Sequence, residues 1–110
     1  MKEIEEYFGA ALPDSYKALL KHHTNQFQND EVVLYLLEDV VERNETYETK
    51  QYAPGYIAIG DDSGGSAFLL KLEENDPPVY VVDHESMDPE YMEFVSNSFS
   101  EWVANSCEYE

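Results

Sequence analysis

"GYIAIGDDSGGSAFLL", Gly55–Leu70, places an apolar segment, a polar glycine-rich break and a second apolar segment in a row. The reading of that break decides the fold. A phosphate-binding loop needs a Gly-Lys-Ser/Thr ending, with backbone N–H groups and a cation for the phosphate. "GDDSGG" has no such ending, and its adjacent carboxylates, Asp61 and Asp62, would repel the anion. An EF-hand loop needs oxygen ligands at alternating positions and a distal glutamate. Asp61, Ser63 and a glycine do not supply that set. A hairpin turn needs only what is present. Asp61 and Asp62 can accept hydrogen bonds from N–H groups just downstream, and Gly64 and Gly65 can take positive φ. The spacing therefore predicts two strands, Tyr56–Ile59 and Ser66–Leu72, joined by a short turn with no reaction attached.

Working toward the C-terminus, "EENDPP" (Glu73–Pro78) reads as a loop and "VYVVD" (Val79–Asp83) as a third strand. Asp88–Pro89 interrupts the chain again. Ser98 with Glu101 three residues later matches a capping box, and Phe99, Trp102 and Val103 make the apolar face of a helix ending near Cys107. Working toward the N-terminus, Pro54–Gly55 is a break. Before it, "EDVVERNETYETKQY" (Glu38–Tyr52) predicts a helix. Leu37, Val40, Val41 and Asn44 share one face of it, and Glu38, Glu42, Glu45 and Glu48 point elsewhere.

"EVVLYLL" (Glu31–Leu37) is β-branched and apolar, and predicts a buried strand. "LPDSYKALLKHHTN" predicts a helix opened by Pro13, with Asp14 in the first turn, cations later, and Asn25 as terminator. Ile4, Tyr7 and Phe8 predict a short first helix closing near Gly9. The whole predicts a single α+β domain over residues 1–110, a mostly antiparallel sheet flanked by N-terminal and C-terminal helices.

The chain carries 24 Asp+Glu against 6 Lys+Arg, a formal net charge of −18. With 43% hydrophobic and 14% aromatic residues, it still has the material for a packed core. The surplus charge reads as a field directed at something positive. It argues against nucleic acid and anionic membrane as direct partners, since both are polyanions. Met1–Phe8 shows no signal-peptide pattern, and the longest apolar run, Val32–Leu37, is far too short to span a bilayer. Cys107 is the single cysteine and has no disulfide partner within the chain. These features lead us to expect a cytoplasmic protein.

"DHES" (Asp83–Ser86) is the second stretch with chemical potential. Neighbouring strand residues point to opposite faces, so Asp83 and Glu85 share a side and His84 does not. No second histidine lies at ligand spacing, and polar capping at a strand end is the simpler reading. Ser and His lack a nucleophile elbow. Cys107 reads as a small packed thiol. No catalytic residue, metal or cofactor is assigned, and an enzyme is not expected. Nine tyrosines offer core mass, and any exposed ones would suit a protein interface.

Four stretches in register resemble one family. "LPDSYKALLKHHTN" resembles the Leu-Pro-x-x-Tyr-x-x-x-Leu helix that opens SUKH superfamily members. "YIAIGDDSGG" resembles their strand and Gly-Asp turn, "VYVVDHES" a later Val-Tyr-x-x-x-His-Glu strand, and "SNSFSEWV" the closing helix. The match runs from Leu12 to Val103. The chain departs from the pattern at "HTNQFQN", which lacks the usual glycines and tryptophan, and in its short acidic middle, Glu38–Tyr52. Gly60, Asp61, Gly64 and Gly65 correspond to the family's turn.

The family includes bacterial immunity proteins that neutralise polymorphic toxins and fungal regulators of cell-wall synthesis. The resemblance implies an α+β fold, no catalytic residues, and a cytoplasmic antitoxin that binds a cognate toxin domain. Toxins opposed by this family are often nucleases, which are basic where they grip phosphate. The acidic candidates for that contact are Glu38, Asp39, Glu42, Glu45, Asp61, Asp62, Glu73, Glu74 and Asp76. A regulatory interaction module without a toxin is the alternative. A small metal-dependent enzyme using Asp61, Asp62, Asp83, His84 and Glu85 is the third reading.

Overall fold

A computed structural model describes residues 1–109. In chain order the elements are α1 (Lys2–Phe8), α2 (Asp14–Leu20), β1 (Val33–Leu34), α3 (Val40–Tyr47), α4 (Thr49–Tyr52), β2 (Tyr56–Asp61), β3 (Ser66–Lys71), β4 (Val79–Asp83), β5 (Glu93–Ser96) and α5 (Phe99–Ala104). Short 3-10 turns occupy Leu37–Asp39, His84–Ser86 and Pro89–Tyr91. The five strands form one antiparallel sheet in sequence order, β1-β2-β3-β4-β5. The predicted α+β class, with terminal helices on a meander, is what the chain adopts. Among the described residues no helix is long and apolar enough to cross a membrane.

Local chemistry sets most boundaries. Gly9 closes α1 in the left-handed region, φ 68°, and donates its N–H to the Glu5 carbonyl. Ser98 Oγ accepts the Glu101 N–H at 3.1 Å, the cap that the Ser98/Glu101 spacing predicted. α2 stops at Leu20, short of Asn25. His22 and His23 donate to carbonyls only three residues back, those of Leu19 and Leu20, so the helix tightens and ends there. Asn25 instead accepts the Phe27 N–H on its side chain.

Two strand expectations change. The strand predicted over Glu31–Leu37 shrinks to Val33–Leu34, paired with Asp61 and Gly60. β1 lies so close to β2 that a Cβ at Gly60 would collide with the Val33 carbonyl oxygen. Only glycine permits that approach. β5 was not anticipated. "EFVS" is short, two of its residues are exposed, and it follows Asp88–Pro89, so it lacks the alternation that marks a strand.

The sheet is covered on both faces, which is why β2 and β3 read as continuous apolar runs. One face carries Ile57, Ile59, Phe68, Leu70, Val79 and Val81, packed against Ile4, Tyr16, Leu20, Phe99 and Trp102 from the helices. Each fully buried large side chain there contributes about 1.5–3 kcal/mol. The other face carries the smaller set Ala58, Ala67, Leu69 and Val82, packed with Ala53 and Met87. The alanines let α3 and α4 seat on β2. The β4–β5 side of that face is left more open.

Candidate protein-binding face

The β2–β3 turn uses its carboxylates internally. Asp62 Oδ1 accepts the N–H groups of Gly64, Gly65 and Ser66 at 2.9, 3.0 and 3.1 Å. Partial burial raises the Asp62 carboxyl, but these amides outweigh it and hold the group below its ordinary value. Asp61 Oδ1 accepts the Ser63 N–H at 2.9 Å, and its Oδ2 accepts the Tyr35 hydroxyl at 2.9 Å. The hairpin is the turn predicted, with one local correction. Ser63, at φ 62°, takes the left-handed position expected of Gly64.

The other candidate carboxylates fall into separate groups. Glu38 and Asp39 lie in the 3-10 turn before α3, and Glu42 and Glu45 are exposed on α3 itself. Glu73 and Glu74 are in the loop after β3, where the Glu73 N–H donates to the Ala11 carbonyl. Asp76 accepts both the N–H and the hydroxyl of Ser100 at the start of α5. Burial raises its carboxyl, but the two Ser100 bonds prevail and lower it. In a meander, the β2–β3 turn and the β3–β4 loop sit at opposite ends of the sheet. The structure does not gather the nine residues into one patch, and Asp61, Asp62 and Asp76 already have internal partners.

The "DHES" stretch behaves as a strand end. Asp83 Oδ1 accepts the Glu85 N–H at 2.8 Å. The His84 ring stacks on Tyr47, centroids 4.2 Å apart and planes inclined by 22°. Among the described residues no group of three or more His, Cys, Asp or Glu side chains is placed to hold a metal ion.

A different face gathers what an interface needs. Residues 72–110 contain no lysine or arginine, a signal visible in the sequence but masked by the richer acidic runs upstream. Asp83 and Glu93, in line with Val81 on β4 and β5, stand on the first face, whereas exposed Glu85, Asp88 and Glu90 lie on the segment between β4 and β5, which brings in the first of two exposed aromatics. These are Tyr91, 64% exposed, and Phe94, 60% exposed. On the open side of the sheet, the rings of Tyr56, Tyr80 and Phe94 follow one another edge to face, each pair with centroids 6.4 Å apart. Their order comes from strand register, Tyr80 pairing with Leu69 and with Phe94. An open cleft of about 540 Å³ lies between the α3–α4 junction and the segment after β4. Tyr47, Tyr52, His84 and Tyr91 line it. Aromatic bodies with exposed edges, rimmed by charge, are the composition of a protein-recognition surface.

A model of the SMI1 / KNR4 family (SUKH-1) matches residues 1–105. No curated protein matches the chain.

Proposed function

The chain belongs to the SMI1 / KNR4 family (SUKH-1), and from that premise we propose that it is an immunity protein that binds and neutralises a cognate toxin domain, a basic nuclease. Family membership supports an immunity or regulatory role exercised through a protein partner. The observation that carries the finer reading is the run of exposed carboxylates beside exposed Tyr91, in a stretch that contains no lysine or arginine. A nuclease presents cations where it holds phosphate. A carboxylate-rich partner covers that surface, matching the substrate's charge while offering no bond to cleave. The rim carboxylates steer the encounter and raise the association rate by roughly tenfold to a thousandfold at low salt. The aromatic rings then supply the desolvated contacts that slow release.

Co-expression with the toxin-like product of a neighbouring gene tests this. Protection of the host together with co-purification of the pair is the expected outcome. A toxin that kills undiminished and does not co-purify overturns the proposal. Co-purification without protection would place the chain among regulatory modules instead.

A further inference from the structure

We infer that the cleft between the α3–α4 junction and the Asp83–Tyr91 segment receives a single arginine side chain of the partner. This rests on the proposed binding of a cationic protein and adds where, and by what chemistry, that partner is held. The cleft combines flat aromatic walls with carboxylates that no cation neutralises among the described residues, of which Asp88 also accepts the Glu90 N–H at 2.9 Å. Tyr52 and Tyr91 are 52% and 64% exposed, and neither has a cation over its ring among the described residues. Glu48, Glu85 and Asp88 also line the cleft and take part in no ion pair among the described residues, where the pairs formed are those of Lys17 with Glu5 and Asp14.

A guanidinium is planar and weakly hydrated. It stacks on tyrosine while its edge donates to carboxylate oxygens. Lysine carries a compact, strongly hydrated charge and matches only the electrostatic half of the site. The chain already uses this contact internally. The Arg43 guanidinium carbon lies 5.7 Å from the centre of the Tyr35 ring, next to Tyr47 in the hydrogen-bonded cluster.

The cleft is also preorganised. Tyr47 is held by the His84 stack and by the Tyr35 hydroxyl at 3.2 Å. Met87, 4% exposed, is also among the lining residues, and there packs with the apolar cluster of the second face. His84 Nε2 is buried with no hydrogen-bond partner among the described residues. Glu48 closes α3 in the left-handed region, φ 55°, and its N–H donates to the Glu45 carbonyl.

The test uses the full chain, isotope-labelled, titrated with N-acetyl-arginine methylamide and followed by NMR. N-acetyl-lysine methylamide and sodium chloride are titrated in parallel. Saturable shifts confined to Tyr47, Glu48, Tyr52, His84 and Tyr91, with the lysine probe at least about fivefold weaker, are expected. The double variant Tyr52→Ala/Tyr91→Ala alters two exposed side chains and should weaken the arginine probe at least about tenfold. Shifts spread evenly over the acidic segments, or equal for arginine, lysine and sodium, mean charge screening only and overturn the inference. Undiminished capture of the toxin by the double variant overturns the arginine site while leaving the immunity reading intact. Localised arginine binding in a protein that ignores the neighbouring toxin supports the cleft and overturns that reading.

Discussion

Asn44 forms two hydrogen bonds to the backbone of Ala58. Its Nδ2 donates to the Ala58 carbonyl at 2.9 Å, and its Oδ1 accepts the Ala58 N–H at 2.8 Å. The side chain is fully buried and also donates to the Val40 carbonyl at 2.8 Å. β1 pairs with β2 at Asp61 and Gly60, the Tyr35 N–H donates to the Ile59 carbonyl just beyond, and a side chain from α3 takes over the strand edge at Ala58. Removing it strands buried backbone groups, which is costly. Asn44→Ala is therefore expected to destabilise the protein by about 2–4 kcal/mol. Asn44→Asp should lose the two donated bonds and be destabilised as well. Urea denaturation monitored through Trp102 fluorescence gives the values, and a change under about 1 kcal/mol would contradict this role.

Acid stability is governed by two opposing effects. Asp62 and Asp76 have carboxyls held below their ordinary value of 3.8 in the folded chain. Groups depressed on folding contribute stability above their unfolded value and lose it as pH falls through the folded one. The remaining surplus of the −18 charge acts in the other direction, since mild acidification relieves self-repulsion. Stability should hold or rise from pH 7 to about 5, then fall below about 4. Asp62→Asn should be less stable than wild type at neutral pH, with the gap shrinking at pH 3. Denaturation curves at both pH values decide it, and a gap independent of pH would show that the carboxylate charge plays no part.

Cys107 is 1% exposed, and burial pushes its thiol up to about 11. A thiol is nucleophilic only as thiolate, and this one is both protonated and covered at physiological pH. A disulfide reagent at pH 8 should leave the native protein unlabelled and label one equivalent after denaturation. Rapid labelling of the native state would mean that the C-terminal segment opens readily.

Charge reversal separates the two acidic regions. Lysines in place of Glu85 and Glu90 should slow association with the proposed toxin partner more than lysines in place of Glu42 and Glu45. The first pair lies on the segment of exposed Tyr91, whereas the second lies on α3. Rim charges act mainly on the association rate. Stopped-flow kinetics at low salt would show it, and the opposite ranking would move the interface to α3.

Much of the fold was legible because its signals are local. Asp61 and Asp62 bond to N–H groups within four residues, Ser98 caps its own helix, and Gly9 ends the one before it. Such contacts depend on short stretches of chain, and short stretches can be read. Total charge and core content follow from composition in the same way. Three things depended on partners distant in sequence. β5 is a strand because β4 lies beside it, not because "EFVS" alternates. Asn44 sat on an apolar face in the periodicity, and only the seating of α3 against Ala58 gave its amide a purpose. The nine acidic candidates were alike as letters. Folding gave Asp61, Asp62 and Asp76 internal donors, as it did Asp83 and Asp88 outside the nine, and left Glu85 and Glu90 exposed on the segment of Tyr91. Composition counts charges, but which of them stay free to meet a partner depends on the contacts made when distant segments pack together.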